Sequence, residues 1–337
     1  MGATPNARHR MPTPIEEGPL TANQLMESGR PRVIRGLCRE WPIVKLAQQS
    51  DTSFAKEIVR HDNGTPVDAL RMPLGEDGIV GYAPDLESFN YQRFRVPVSE
   101  VLQRLAAYSQ HEQTPGLAMQ SAQVSACLPG LLPSLRLPLL PADVQPRLWM
   151  GNRVVTPAHF DSSHNVAVVA CGRRRFTLFP PEQIGNLYVG PLDFAPTVAA
   201  ISIARLDAVD DPRYPRLREA LDHAVVAVLE PGDAIYIPPV WWHHVESLER
   251  LNALVNYWWR PSAYPGHVAE PGLEALAHCL LAFRWLPPTE RAAWKSILDH
   301  YVFADEDPAE HLPASRRGVL GPLTPEVVAK LRKMAGK

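Results

Sequence analysis

Short runs of β-branched and aromatic residues fill the middle of the chain, from about residue 147 to residue 262. Gly, Pro and Asn separate these runs, which read RLWMGNRVV, NVAVVA, RRFTLF, AVVAVL, AIYI and NALVNYW. Runs of this length, composition and spacing are typical of strands in an antiparallel sandwich or barrel. The sequence therefore predicts a mainly β fold with flanking helices, in which residues 147–262 form the core.

Helical patterns flank this core on both sides. Near the N-terminus, TANQLMESG begins at a threonine cap and ends in glycine, and SEVLQRLAAYSQH (99–111) opens with a serine cap. In the last quarter of the chain, apolar residues such as Trp294, Ile297 and Tyr301 recur at helical spacing. These apolar stripes predict helices that contribute either to a core or to a subunit interface.

The composition is that of an ordinary globular protein. The formal net charge is -2 and the isoelectric point is about 6.6, so no overall basic field favours nucleic acid or an anionic membrane. The four cysteines lie far apart without a CxxC pair, which favours a reducing cytoplasm and small buried side chains. No stretch approaches the roughly 20 apolar residues of a membrane span. We therefore expect a cytoplasmic protein without a membrane partner.

The segment TPAHFDSSHN (156–165) carries the first candidate metal ligands. Side chains alternate between the two faces of a strand, so His159 and Asp161 should point the same way. A third ligand from a distant strand would complete a site of two histidines and one carboxylate. Non-haem Fe(II) oxygenases use this set, because it leaves one octahedral face open for a 2-oxo acid and O₂.

The third ligand is predicted in PGDAIYIPPVWWHHVES (231–247). His243 is in phase with Val245, whereas His244 is in phase with Glu246. The face that carries valine suits the interior of a barrel, so we expect His243 to be the ligand. His244 is expected on the polar side or beside a ligand.

A 2-oxo acid also needs a cation for its distal carboxylate, and RRRFTLF (173–179) offers three arginines. Arg174 is in phase with Phe176 and Leu178, which places it in the interior by the same rule. A guanidinium binds a carboxylate through two parallel charge-assisted hydrogen bonds. Other polar residues on apolar strands are candidates for contacts with the ligands or the bound carboxylates, namely Thr156, Asn165 and Asn256.

These motifs together resemble the cupin-like branch of the JmjC oxygenases. TPAHFD, NVAVVACGRRRFTLFPPEQ, PGDAIYIPPVWWHHVESL and VNYWW follow one another within about residues 150–260, and PRVIRGLCREWP (31–42) is more loosely similar. Within this branch, the chain is similar to the asparaginyl hydroxylase of hypoxia-inducible factor. The resemblance implies a double-stranded β-helix core of the jelly-roll or cupin type and C-terminal helices that form a homodimer.

The resemblance also implies the ligands of the site. Fe(II) would be held by His159, Asp161 and His243, and 2-oxoglutarate would be bound through Thr156, Asn165, Arg174 and Asn256. Two positions depart from the family pattern. The family's hydroxylase has lysine in place of Arg174, which changes the geometry of the carboxylate contact. The family also has a tyrosine two residues before a glutamine, where this chain has Ala118 and Gln120. We therefore expect Gln120 to contact the co-substrate. The affinity of the protein for 2-oxoglutarate should be lower unless another group replaces the tyrosine ring.

The expected function is that of an Fe(II)- and 2-oxoglutarate-dependent hydroxylase that uses O₂ and releases succinate and CO₂. A protein side chain is the first candidate substrate, followed by free amino acids, small metabolites and a tRNA base. The alternatives are a metal-binding cupin without catalysis and a 2-oxoglutarate-independent dioxygenase or isomerase on the same barrel. The expected domains are a tail with a short helix (1–27), a cupin-like catalytic domain (28–262) and a C-terminal helical region suited to dimerisation (263–337).

Overall fold

The computed structural model describes residues 12–19, 21–196, 199–260 and 272–336. The chain separates into two compact units, Met1–Trp259 and Arg260–Lys337. The first 11 residues of the predicted tail and residues 263–271 of the predicted C-terminal region lie outside the described ranges.

The first unit is built from two β-sheets. Its strands are β1 (Thr13–Pro14), β2 (Arg32–Ile34), β3 (Val67–Met72), β4 (Gln92–Val96), β5 (Gly116–Gln123), β6 (Pro146–Gly151), β7 (Val155–His159), β8 (His164–Cys171), β9 (Arg174–Phe179), β10 (Val225–Leu229), β11 (Ala234–Ile237), β12 (Trp242–Ser247) and β13 (Asn252–Trp259). The smaller sheet has the order β1-β10-β9-β12-β7, and the larger sheet has the order β2-β11-β8-β13-β6-β5-β3-β4. Apart from the parallel pair β1 and β10, the neighbouring strands of the described ranges run antiparallel.

Helices cover one face of the larger sheet. The helices of the first unit are α1 (Ala22–Ser28), α2 (Pro42–Gln49), α3 (Asp51–His61), α4 (Val98–Tyr108), α5 (Val124–Cys127) and α6 (Leu217–Asp222), with 3₁₀ turns at Pro129–Ser134 and Pro181–Asn186. Phe54 of α3 and Val101 of α4 belong to one buried cluster with Met150 and Val168 of the sheet. This cluster forms the main core of the unit.

A second core lies between the two sheets. Ala167, Val169 and Ile235 of the larger sheet pack with Phe176 and Leu178 of the smaller sheet. Two antiparallel sheets with their inner faces packed together, together with the flanking helices, confirm the predicted double-stranded β-helix. The space between the sheets is the interior in which the site residues were predicted.

One local prediction was wrong, and the predicted tail with its short helix also contains a strand. Part of the predicted tail belongs to the smaller sheet, because β1 pairs with β10 and Ile15 is buried between the sheets. The predicted serine cap of the helix at 99–111 is also absent, since α4 begins after Pro97 and the Ser99 N–H donates to Asp62 Oδ2 at 2.7 Å. By contrast, Thr21 caps α1 as predicted. Short strands and caps formed with distant residues leave weak local signals.

The second unit is helical, as predicted. It contains α7 (Leu273–Phe283), α8 (Pro288–Leu298), α9 (Pro325–Met334), a π-helical turn at Asp299–Phe303 and 3₁₀ turns at Ala314–Arg316 and Gly318–Leu320. The apolar residues Trp294, Ile297 and Tyr301 are 43%, 44% and 51% exposed. Among the side chains described in this unit, Ala309 alone is buried, so the stripes form no core within the described chain. Neither unit has, in the described ranges, a helix long and apolar enough to cross a membrane.

Candidate metal and co-substrate site

The three predicted metal ligands lie together where β7 ends and β12 begins. His159 and His243 are cross-strand partners, and their ring centroids are 4.1 Å apart. The Oδ2 atom of Asp161 lies 3.7 Å from Nε2 of His243. One ligand atom from each side chain can be chosen so that all three lie within 4.8 Å of one another. Two imidazoles and a carboxylate at this spacing suit a divalent transition metal.

Backbone carbonyl groups orient both histidine rings. Nδ1 of His159 lies 2.9 Å from the Pro157 oxygen, and Nδ1 of His243 lies 3.1 Å from the Trp241 oxygen. A neutral ring that donates from Nδ1 presents the Nε2 lone pair to a metal. Burial, followed by the nearby His159, lowers the pKa of His243 to about 4. His243 is therefore neutral at physiological pH, as metal binding requires.

Asp161 lies two residues beyond the end of β7 and not within a strand, so strand alternation alone does not orient it. The Val240 N–H donates to its backbone oxygen at 2.8 Å, and Nε1 of Trp258 donates to its Oδ2 at 2.9 Å. Trp258 is thus a functional candidate that the sequence reasoning missed. The signal was present in the VNYWW motif, from which only Asn256 was selected.

His244 lies on the opposite face of β12 and is buried, not at a polar surface as one prediction held. Burial, followed by the nearby His159, lowers its pKa to about 4. Trp242 of the same face packs with Phe179 and with Leu217 of α6. The outer face of the smaller sheet is therefore covered around Trp242 by the segment between β9 and β10.

Arg174 lies in the barrel interior and is only 8% exposed. Its neighbours point outwards and are paired, Arg173 with Glu249 at 2.7 Å and Arg175 with Glu246 at 3.1 Å. No carboxylate within the described ranges pairs with Arg174, and its Nε atom is buried without a hydrogen-bond partner. Burial lowers its pKa to about 10, so the guanidinium stays charged at neutral pH. A buried cation without an anion is unfavourable, which favours an anionic ligand here.

The predicted polar residues line the same interior. Asn165 is 5% exposed and its Oδ1 atom is buried without a partner. Asn256 is also buried, and its Oδ1 accepts a hydrogen bond from Nε1 of Trp149 at 2.8 Å, which leaves the side-chain NH₂ group to donate. Thr156 is half-buried and is the cross-strand partner of Val245. The orphaned atoms fit a polar ligand in the interior.

Gln120 lies at a bulge of β5, where the register with β6 shifts between Met119 and Ala122 and Ser121 has φ of +43°. The Gln120 side chain is half-buried. Ala118, on the same face of β5 by alternation, packs in an apolar cluster with Leu70, Met72, Val80 and Val154. Apolar side chains thus surround Ala118, and the contact of Gln120 with a co-substrate stays a prediction.

The chain is similar to several curated proteins. It is 26% identical to Jumonji C domain-containing protein 5 of Drosophila melanogaster over 237 residues, covering 69% of this chain and 55% of that protein. It is 36% identical to human HSPB1-associated protein 1 over 115 residues, covering 33% of this chain and 22% of that protein. It is 31% identical to lysine-specific demethylase JMJ31 of Arabidopsis thaliana over 137 residues, covering 40% of this chain and 24% of that protein. The chain thus matches about half or less of the length of these relatives.

The family comparison covers most of the chain. Residues 19–264 match the model of the cupin-like domain, which includes every strand of the two sheets except β1. Together with the Jumonji C relatives, this match confirms the predicted similarity to JmjC-type cupins. The closer similarity to the asparaginyl hydroxylase stays a prediction. The chain belongs to the cupin-like domain family.

Proposed function

We propose that this protein is an Fe(II)- and 2-oxoglutarate-dependent oxygenase that hydroxylates its substrate and releases succinate and CO₂. The observation that carries the proposal is the buried guanidinium of Arg174, which has no anionic partner in the described chain and lies in the same barrel as the metal site. A cupin that only binds a metal has no need of such a charge, which is costly to bury unpaired. Bound Fe(II), 2-oxoglutarate and O₂ would together supply the oxidising chemistry.

The metal ligands and Arg174 lie at two ends of the barrel interior. His159, Asp161 and His243 would hold the metal, and a set of three protein ligands would leave positions for the co-substrate and O₂. Arg174 is the cross-strand partner of Ser247, four residues along β12 from His243, which corresponds to about 13 Å of strand. An arginine side chain and a five-carbon dicarboxylate together can fill this distance. Arg174 then binds the distal carboxylate through paired hydrogen bonds.

The residues between these ends supply hydrogen-bond donors and exclude water. Thr156 and the NH₂ group of Asn256 are donors for the carboxylates of the co-substrate, and Gln120 is a further candidate. Phe176, Leu178 and Val245 are buried apolar neighbours in the interior. They exclude water around the charged contacts, which strengthens the binding of the carboxylate and favours one orientation of the co-substrate.

The candidate substrates are ranked by the names of the relatives and by the net charge. The names of two relatives, a lysine-specific demethylase and an HSPB1-associated protein, favour a protein side chain as the first candidate. A free amino acid, a small metabolite and a tRNA base are further candidates, and the net charge of -2 makes the nucleic acid the last of them.

Binding of 2-oxoglutarate to the Mn(II)-loaded protein tests the co-substrate. Arg174→Met should weaken binding by about tenfold or more, since it removes a charge-assisted pair of hydrogen bonds. Arg175→Met removes the same charge from the next residue of the strand, whose side chain is exposed and paired with Glu246, and should leave binding unchanged. Equal effects of both variants, or no binding to the wild-type protein, would favour a cupin that only binds a metal.

Turnover tests the metal site. The Fe(II)-loaded protein should form succinate from 2-oxoglutarate, and His243→Ala should lose both the metal and succinate formation, because it removes one of three ligands. Succinate formation that persists in this variant contradicts the assigned site. Consumption of O₂ without any oxo acid would instead identify a 2-oxoglutarate-independent dioxygenase.

We also propose that the C-terminal unit forms a homodimer. Leu281, Trp285 and Phe303 are 83%, 86% and 72% exposed, and a unit that buries so little apolar surface is not stable alone. The full chain should be a dimer in light scattering, and the double variant Leu281→Ser with Trp285→Ser should be a monomer. Lys295→Ser, in the exposed helix α8, is the control. A monomeric wild-type protein contradicts the proposal.

A further inference from the structure

Strand β6 presents an arginine to the barrel interior that has no role in the proposed function so far. Leu148 and Met150 belong to the core on the helix-covered side of the sheet. Alternation therefore places Arg147 and Trp149 on the inner face. Trp149 packs against the core between the sheets, which agrees with this assignment. Arg147 is half-buried and is the cross-strand partner of Asn256.

The contacts of Arg147 bring its charge next to the metal site. Its guanidinium carbon lies 5.8 Å from the ring centroid of Trp258, over the ring. Nε1 of the same indole donates to Oδ2 of the candidate ligand Asp161 at 2.9 Å. Trp149 also packs against Trp258 in an edge-to-face contact, with ring centroids 6.1 Å apart at 88°. One aromatic ring thus separates Arg147 from a metal ligand.

The donors of Arg147 are only partly used. Within the described ranges, its hydrogen bonds both come from Nη1, to the backbone oxygen and to Oγ of Ser121, at 3.3 Å each. No carboxylate of the described chain forms an ion pair with it, whereas Arg35 has Asp233 at 2.7 Å and Glu17 at 2.7 Å. Nε and Nη2 are left for an oxyanion in the paired geometry that a guanidinium favours.

We propose that Arg147 binds a carboxylate group of the substrate beside the metal site. This inference rests on the proposed function, because it assigns a second cation of the same barrel once Arg174 is assigned to 2-oxoglutarate. The two arginines lie on different sheets, Arg147 on the larger and Arg174 on the smaller. They therefore suit two separate anions.

A carboxylate fits this position better than a phosphate does. Arg147 offers one positive charge over the face of the Trp258 ring, and the carboxylate of Asp161 lies at the Nε1 edge of the same ring. A phosphate group carries nearly two negative charges at neutral pH, which a single guanidinium balances only in part, whereas a carboxylate carries one. The substrate class is thus a molecule with a carboxylate close to the oxidised carbon, either a free amino acid or an acidic side chain of a peptide.

Binding of matched probes to the Mn(II)-loaded protein tests this inference, with and without 2-oxoglutarate. The first arm compares free L-amino acids with their α-amides, and the second compares end-capped pentapeptides with a central Asp or Asn. We expect at least one carboxylate probe to bind about tenfold more tightly than its amide, the gain of one charged pair of hydrogen bonds. The arm in which the preference occurs identifies the source of the carboxylate.

Three variants locate the effect. Arg147→Gln should abolish the preference for the carboxylate, and Arg147→Lys should retain part of it because the charge remains without the fork. Arg153→Gln removes the same charge from an exposed residue that follows β6 and should retain the preference. Arg153→Gln should leave the affinities for Mn(II) and 2-oxoglutarate unchanged, because this exposed residue lies outside the assigned site. Both affinities are also measured for the Arg147 variants, so that a lost carboxylate preference is distinguished from a lost metal or co-substrate.

The outcomes separate this inference from the proposed function. The carboxylate site is overturned if neither arm shows a preference, if the preference survives Arg147→Gln, or if O-phosphoserine binds more tightly than serine and aspartate. A protein that binds no 2-oxoglutarate overturns the proposed function. The probes are also measured on the Mn(II) form without 2-oxoglutarate. The role of Arg147 is therefore tested whether or not the protein binds 2-oxoglutarate.

Discussion

Trp258→Phe should weaken metal binding although the residue is no metal ligand. The indole Nε1 donates to Oδ2 of Asp161, which lies outside the strands, and the Val240 N–H donates to the backbone oxygen of the same residue. Phenylalanine keeps a ring for the contacts with Trp149 and Arg147 but has no donor. The carboxylate of Asp161 then lacks the hydrogen bond that orients it in the metal-free protein, and metal binding has to fix its orientation.

The size of the effect follows from the bond that is lost. A hydrogen bond to a charged group contributes about 1.5–3 kcal/mol, which corresponds to roughly 10- to 100-fold in an equilibrium constant. The metal-free wild-type protein already has the bond, so part of this energy cancels between the two states. We therefore expect about a tenfold loss of affinity, at the lower end of the range for residues that orient metal ligands.

Calorimetric titration with Mn(II) measures this loss, and the electron paramagnetic resonance spectrum of bound Mn(II) reports on the geometry of the ligands. Trp149→Phe is the matched control. It also removes an indole donor from the barrel interior, but that donor contacts Asn256, not a metal ligand. Equal Mn(II) affinity of the wild-type and Trp258→Phe proteins would refute the reasoning, as would an equal loss in both variants.

Three further predictions concern other parts of the first and second units. Arg174→Lys should retain 2-oxoglutarate binding at an affinity between those of the wild-type and Arg174→Met proteins in calorimetry, because the charge remains but the second hydrogen bond is lost; unchanged affinity would show that 2-oxoglutarate does not use the paired hydrogen bonds. Gly172→Ala should lower the free energy of unfolding by about 1–3 kcal/mol in a urea titration, because φ is +71° and a Cβ atom would lie 2.4 Å from the Leu251 oxygen; an unchanged midpoint contradicts this. At pH 8 one thiol per folded chain should react with a disulfide reagent, that of the partly exposed Cys279, and mass spectrometry of the labelled peptides identifies it. Burial raises the pKa of the other three thiols, to about 12 for Cys38 and Cys171 and to about 11 for Cys127.

Much of the site could be predicted because the period of a strand is simple. Arg174 differs from Arg173 and Arg175 only in its phase with Phe176 and Leu178, and the structure places it alone among the three inside the barrel. The same rule separated His243 from His244. These predictions needed no knowledge of distant contacts, because each strand carries its own pattern of faces.

The remainder depended on contacts between distant parts of the chain. Trp258 lies 97 residues from Asp161, and no local pattern distinguishes an indole that donates to a ligand from one that only packs. β1 has two residues, too few for a periodic signal, and it is held by its pairing with β10. The exposed stripes of the second unit have the same helical period as a buried core, so the sequence left both interpretations open.

The three consecutive arginines of β9 have a consequence for how the barrel tolerates change. If β9 slipped by one residue against β10 and β12, another arginine would still arrive at the position of Arg174, while Phe176 and Leu178 would be turned to the outer face. Any of the three arginines could therefore supply the cation, and the burial of the apolar residues fixes the register of the strand. A small insertion at the start of β9 would thus leave an arginine in the interior, but it would remove Phe176 from the core between the sheets.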